Sequence, residues 1–339
     1  MSIKPLLRKC IKTIDSAYAQ VRSVPGRCRL TQSYIQERWD GDDPCSSSNR
    51  VVIYVHYDTR GSVHDYVYHS VEQFAAAGLR VHFVSNAKRL PGDAIHRLAP
   101  YCARIYRRKN VGHDFGAYRD VILGLSDRDR LEMLLLTNDS VYGPFTSVER
   151  LLQRANPNVA DVWGACDSWA IRYHLQSFFL VFHAPAISSG VFTSFWRSLP
   201  YVSYREWMIR YGEVALTQYL LRAGLRCRAL FPYHGITTRT YSSILQTKVL
   251  ESKLQSAHRV FLTHLLDAIE GGGPLNPTHH FWDLLIRDHG FPFIKRDLLQ
   301  RNPIGVPGIV QWREVVGQTG YDTQLIDDHL RLLARDHSV

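Results

Sequence analysis

Short apolar runs alternate with helical patterns through the first half of the chain, and each run ends in polar residues. Val51-Val52-Ile53-Tyr54-Val55-His56-Tyr57 predicts a strand buried on both faces, with Asp58 and Gly61 at its end. From about residue 63 to 77, Val67, Val71, Phe74 and Ala75 share one helical face, and Gly78 supplies a stop. Residues 79–86 follow as a second strand, so this strand–helix–strand unit predicts a parallel pair with a right-handed crossover. Residues 103–108 predict another strand and 117–124 a helix. The run Leu131-Glu132-Met133-Leu134-Leu135-Leu136-Thr137-Asn138-Asp139-Ser140 then predicts a strand closing on Asp139, although periodicity alone leaves a helix open. Such alternation predicts an α/β sandwich around a mostly parallel sheet.

After Tyr142-Gly143-Pro144-Phe145 the pattern changes. Helices are expected at 148–152, 192–199 and 207–224, and strands at 160–165, 176–183 and 227–232. Residues 36–50 read as a polar linker ahead of the first strong strand. No Gly-x-Gly-x-x-Gly follows that strand, which disfavours a dinucleotide-binding unit.

Composition narrows the class. A chain of 339 residues with 45% hydrophobic and 21% charged positions is globular, and no run approaches the roughly 20 apolar residues of a membrane span. The start lacks the apolar core and cleavage site of a signal peptide, and the six cysteines (10, 28, 45, 102, 166, 227) form no Cys-x-x-Cys pair. Both features point to a reducing, cytoplasmic setting without a zinc site or disulfide framework. The net charge of +10 suggests an anionic partner. Part of it is local: Lys4, Arg8, Lys9, Lys12, Arg22, Arg27 and Arg29 face only Asp15 within residues 1–30, beside Leu6, Leu7, Cys10, Ile11, Ile14 and Tyr18 at helical spacing. Such a helix either lies on an anionic membrane surface or packs on the domain with its basic face in water. No nucleic-acid-binding signature is present, and no nucleic-acid partner is expected.

Candidate chemistry gathers at two places. Asp139 closes a predicted strand, where open α/β sheets bind ligands. It either holds a hard cation that in turn holds a diphosphate, or caps the Asn138-Asp139-Ser140 turn. In residues 109–119, Gly112, Asp114 and Gly116 let backbone approach a ligand closely. Asp114 equally suits a helix N-cap.

Three motifs carry a resemblance: Asn110-Val111-Gly112-His113-Asp114-Phe115-Gly116-Ala117-Tyr118, Leu136-Thr137-Asn138-Asp139-Ser140-Val141-Tyr142-Gly143-Pro144, and Asn276-Pro277-Thr278-His279 with Phe291-Pro292-Phe293-Ile294-Lys295. In this order they resemble the rhamnan synthesis protein F family, from about residue 50 to about residue 315. The resemblance implies a GT-A-like, Rossmann-like α/β domain at residues 49–320, between a basic helical segment and linker (1–48) and a C-terminal helix or tail (321–339). It implies an inverting glycosyltransferase of cell-surface polysaccharide synthesis at the cytoplasmic face of the membrane. That enzyme would move a sugar, with rhamnose the expected one, from a nucleotide-diphosphate donor to a glycan or lipid-linked acceptor. Asp139, with His279, would hold Mg²⁺ or Mn²⁺ against the diphosphate, although the usual Asp-x-Asp is here Asn138-Asp139-Ser140. Asp58 would lie near the base or ribose, and Asn110, Gly112, Asp114 and Asn138 near the donor. Lys295 would neutralise diphosphate charge.

Glu213 would be the base, although Val214 stands where a neighbouring Asp is expected. His174 and Gln176 would line the acceptor groove, with His174 the second candidate base. The bland readings are a Glu213 favoured by a helix dipole, a structural His174, and His279 and His280 capping a helix. The rival function is a non-catalytic nucleotide-sugar- or saccharide-binding subunit, suggested by the missing second carboxylate and Val214. A metal-dependent phosphoesterase is weaker, since the ligand cluster of a two-metal site is absent.

Overall fold

The computed structural model describes residues 33–248 and 256–336. The basic helical pattern of residues 1–30 lies outside them. Among the described residues eleven strands form: β1 Ile35–Asp40, β2 Arg50–His56, β3 Arg80–Ser85, β4 Arg104–Arg108, β5 Met133–Asn138, β6 Val141–Tyr142, β7 Val162–Ser168, β8 His174–Leu175, β9 Phe179–His183, β10 Cys227–Phe231 and β11 Ile294–Lys295. Nine of them make the main sheet in the order β1-β4-β3-β2-β5-β9-β7-β10, with β8 on β7. β4, β3, β2 and β5 run parallel, as do β7 and β10, while β1, β8 and β9 are antiparallel to their neighbours.

The strand order reverses between β2 and β5. From β2 the chain builds outward through β3 and β4, then returns to lay β5 on β2's other edge, with Val55 opposite Asn138. Loops leave such a junction in opposite directions and open a crevice at the carboxyl ends of the strands.

Side-chain alternation splits the core in two. Val52, Tyr54, Val81, Phe83 and Leu135 join one cluster with α1 (Asp65–Ala76) and the C-terminal helices. Val51, Ile53, Val84, Leu134 and Leu136 face the other side, with α2 (His113–Gly124) and α3 (Gly190–Ser198). Both faces of the inner strands are therefore apolar, which is why they read as unbroken hydrophobic runs.

Three expectations change. Residues 36–50 are not all linker, because Ile35–Asp40 is an edge strand on β4. Its Gln36, Glu37 and Arg38 are exposed, as suits an edge that must not pair with another chain, and they hid the strand signal. The helix expected at 207–224 is three pieces: α4 (Arg205–Met208), a π-helical stretch Ile209–Val214, and α5 (Ala215–Arg222). Gly212 lies inside that stretch, where an added Cβ would come within 2.7 Å of Met208 Sδ. The helix expected from 117 begins at His113 instead, bringing Asp114 into its first turn.

Candidate functional site

Asp139 sits at the junction where the strand order reverses. Its N–H donates to the Val55 carbonyl at 3.0 Å, continuing the β2–β5 ladder past the last strand residue. Its Oδ2 accepts from the Tyr57 N–H at 3.2 Å and from Arg296 Nη1 at 2.8 Å. The same Nη1 donates to the Asp139 carbonyl at 2.8 Å. The turn that follows is made by Asn138, whose Oδ1 accepts from the Ser140 N–H (3.1 Å) and hydroxyl (2.6 Å). The capping reading of Asp139 is thereby corrected.

Arg296 reaches this place because β11 pairs antiparallel with β6, and the Arg296 N–H donates to the Ser140 carbonyl at 3.0 Å. Burial works against its charge, but Tyr66 and Asp139 outweigh that and hold the guanidinium above its ordinary value. The Asp139–Arg296 pair is the main feature that sequence reasoning missed. The available signal was two cations, Lys295 and Arg296, directly after the apolar stretch 291–294.

Asp114 does not cap its helix. The N-cap is Gly112 at φ 79°, followed by His113 at φ 50°, both in the left-handed region, and the Gly112 N–H donates to Ser203 Oγ at 3.2 Å. Asp114 Oδ2 instead accepts from Asn138 Nδ2 at 2.9 Å, linking the 110–114 loop to the end of β5. Loss of hydration, reinforced by the charge of Asp139, pushes its carboxyl up to about 7.

A carboxyl raised on folding favours the native state most where it is protonated in both states. Its contribution is complete below the ordinary carboxylate range, near pH 4, and is lost as pH rises through about 7. Asp114→Asn is expected to flatten the fall in stability between pH 5 and pH 8. Urea unfolding at those two values measures it, and an unchanged slope would show that Asp114 is not the group responsible.

Two further polar atoms of this loop, Asn110 Oδ1 and His113 Nε2, are buried without a hydrogen-bond partner. Unpaired polar atoms and left-handed backbone in one short loop are costly and persist only where the surroundings hold them in place. Arg108 does the holding. Its fully buried side chain donates to Asp120 Oδ2 (2.9 Å), Asn86 Oδ1 (2.7 Å) and the Val111 carbonyl (2.9 Å).

Glu213 and His174, far apart in sequence, come together. His174 on β8 places Nε2 3.5 Å from Glu213 Oε1, and its Nδ1 lies 2.8 Å from the Arg172 carbonyl. The Ser177 N–H donates to Glu213 Oε2 at 2.8 Å, and the Ser177 hydroxyl donates to the same oxygen. Burial raises the Glu213 carboxyl, but His174 and Ser177 outweigh it and hold the group below its usual range. Burial likewise lowers His174, and Glu213 outweighs it in the opposite direction. Glu213 lies within a continuous helical run, in its π-helical part, so a first-turn dipole does not account for it. Isolated π-turns of this kind recur at functional sites. Gln176 turns away, donating to Asn276 Oδ1 at 3.3 Å and accepting from the Thr278 hydroxyl at 3.5 Å.

Lys295 lies between these groups. Its Nζ sits 4.0 Å above the Phe178 ring and 3.5 Å from Ser140 Oγ. Burial lowers it from the ordinary lysine value, opposed by Glu213, Asp297, Cys166 and Asp114.

The remaining expected residues have local duties. Asp58 Oδ1 accepts from the N–H groups of Arg60 (2.8 Å) and Ser62 (3.0 Å), and its Oδ2 lies 3.5 Å from His64 Nε2. Burial opposes these partners, yet together they hold the carboxyl well below its usual range. His279 and His280 do not cap the helix Trp282–His289, whose N-cap is Phe281; they belong to α6 (Pro277–His280), which Asn276 caps, its side chain accepting from the Thr278 N–H at 3.2 Å. His279 Nε2 lies 3.2 Å from Asp297 Oδ1, at the start of α7 (Arg296–Arg301).

These positions bear on the expected cation. Among the described residues no group of three or more His, Cys, Asp or Glu is placed to hold a metal ion. Asp139 faces Arg296 and His279 faces Asp297, so the expected ligands do not fit a divalent cation.

Virulence protein VirA of Vibrio anguillarum is 29% identical over 242 residues, covering 69% of this chain and 75% of that protein. Protein y4gN of Sinorhizobium fredii is 32% identical over 197 residues, covering 57% of this chain and 50% of that one. Among solved structures, the glycosyltransferase GlyE of Streptococcus pneumoniae TIGR4 overlays with a TM-score of 0.32 at 10% identity, over 53% of this chain and 45% of that one. Residues 81–337 match the family described as rhamnan synthesis protein F, a span that holds the Asp114 loop, Asp139, Glu213 and the Lys295–Arg296 pair. The chain is a member of the rhamnan synthesis protein F family.

Proposed function

We propose that this chain is a GT-A-type glycosyltransferase of cell-surface polysaccharide synthesis, taking a sugar from a nucleotide-diphosphate donor and placing it on a glycan or lipid-linked acceptor. The observation that carries the reading is the convergence of Asp139, Asp114 and the Lys295–Arg296 pair at the carboxyl edge of the sheet, where β2 and β5 part. Family membership supports polysaccharide synthesis as the setting, and rhamnose as the sugar to test first.

In this reading the donor lies across the β2–β5 junction. Tyr57, 42% exposed at the end of β2, offers a ring face to the nucleobase. Asn110, with its unpaired Oδ1, and Asp114 face the donor's hydroxyls. The acceptor enters on the side of His174 and Glu213. An acceptor hydroxyl oxygen bonds to the anomeric carbon, the bond from that carbon to the diphosphate oxygen breaks, and Glu213 takes the hydroxyl proton. Paired with His174, Glu213 is ionised at neutral pH and so able to receive it. Lys295 and Arg296 meet the charge that develops on the leaving diphosphate.

Nucleoside diphosphate release from a panel of nucleotide sugars, dTDP- and GDP-rhamnose included, tests this with and without glycan acceptors. Acceptor-stimulated release is the expected result. Tight donor binding without turnover, once rhamnose-containing acceptors had been supplied, would replace the transferase with a binding subunit. Among the described residues no helix is long and apolar enough to cross a membrane.

A further inference from the structure

We propose that Arg296 and Lys295 bind the donor's diphosphate in place of a divalent cation, with Asp139 fixing the guanidinium instead of ligating a metal. This rests on the reading of the chain as a nucleotide-sugar transferase. A metal at Asp139 would need the carboxylate at about 2.0–2.6 Å. The carboxylate Oδ2 already accepts from Arg296 Nη1 at 2.8 Å and from the Tyr57 N–H at 3.2 Å. A dication at Oδ2 would have to displace the guanidinium, and one at either oxygen would face two cations, Arg296 and Lys295, with no second carboxylate at position 138 or 140 to offset them. The other expected ligand, His279, has its Nε2 engaged by Asp297.

The two basic residues are instead built for an anion. The β11–β6 pairing fixes their backbone, and the Arg296 N–H to Ser140 carbonyl bond pins the junction between them. From there the two side chains take different neighbours: Arg296 lies beside Asp139, 5.5 Å from the Tyr66 ring centre, and Lys295 lies on Phe178 and Ser140. The Arg296–Asp139 pair is not sealed off, with side chains 18% and 10% exposed. A guanidinium held by a carboxylate at one nitrogen keeps the planar fork that matches phosphate oxygens, and a lysine beside it adds a point charge. A diphosphate spanning the two meets both from successive residues at the junction of β11 and α7.

Calorimetric titration of UDP, dTDP and GDP into the chain, first in EDTA and then in Mn²⁺, tests the assignment. At least one nucleoside diphosphate is expected to bind with the same affinity, within about threefold, in both buffers. Lys295→Met and Arg296→Lys are each expected to weaken it by about 10- to 100-fold whether or not Mn²⁺ is present, the loss of one charge-assisted contact or of its fork geometry. Mn²⁺ paramagnetic resonance should show no nucleotide-dependent capture of the ion. Binding that vanishes in EDTA and returns with Mn²⁺ would overturn the proposal while leaving the transferase reading intact. If no nucleoside diphosphate binds in either buffer, the donor reading fails and the diphosphate clamp with it. Should Arg296→Lys fail to fold, Lys295→Met, which keeps an apolar chain on Phe178 and gives up only the contact with Ser140, decides between the same outcomes.

Discussion

Glu213→Gln is expected to lower the transfer rate by about 10²- to 10⁴-fold while leaving donor affinity nearly unchanged, the range general-base catalysis supplies. Glutamine keeps the shape of the side chain and an oxygen to accept from the Ser177 N–H and hydroxyl. What it removes is the charge, and with it the capacity to take a proton from the acceptor. The variant also uncouples His174, whose raised value depends chiefly on Glu213 once burial is set against it. His174 should then titrate lower, so the acidic limb of any residual pH–rate profile should move. Steady-state transfer by wild type and variant, with donor affinity measured separately, checks both points. A variant that transfers at the wild-type rate would place the base elsewhere, with His174 next to be replaced.

Arg108→Met is expected to destabilise the fold by about 3–5 kcal/mol, the cost of removing one partner from a buried ion pair. The side chains of Arg108 and Asp120 are 0% and 1% exposed. Asp120 would keep the Tyr201 hydroxyl and the Tyr34 N–H but lose its cation. The same substitution frees Asn86 and the Val111 carbonyl, so the left-handed turn at Gly112 and His113 would lose its support. Donor affinity should therefore fall together with stability. Urea unfolding measures the first effect, and the double variant Arg108→Met/Asp120→Leu separates the causes. It should recover much of the stability, because no uncompensated charge remains buried, but not the affinity, because the loop anchor is still missing. A cost below about 1 kcal/mol would mean that the pair is hydrated in solution, as exposed pairs are.

How much of this was legible before folding depended on how far apart the partners lie. β2, β3 and β5 were legible because they are buried on both faces and their apolar runs are continuous. β1 was not, because three charged or amide side chains on an edge strand look like a linker. The π-helical stretch shares the apolar spacing of the helices on either side of it, so nothing in the pattern announced it.

The position of Asp139 at a strand end could be read from local sequence, and so could the glycine-rich loop that carries Asp114. Their assigned roles could not. A cap and a first-turn residue differ by only one to three positions, and Asp114 lies two past the Gly112 cap. The partner of Asp139 lies 157 residues along the chain and depends on a two-residue strand, β11, too short to leave a hydrophobic pattern. Glu213 came from resemblance. Its bond to Ser177 and its approach to His174 come from the way β8 and the β8–β9 loop meet the π-helical stretch.

The most direct test of the account is a structure of the chain with a nucleotide-sugar donor bound in the presence of EDTA. The account predicts a diphosphate within hydrogen-bond reach of Lys295 and Arg296, at the carboxyl ends of β2 and β5, with the anomeric carbon turned toward Glu213. A donor seated elsewhere on the molecule, or one whose diphosphate is distant from both basic residues, would contradict it.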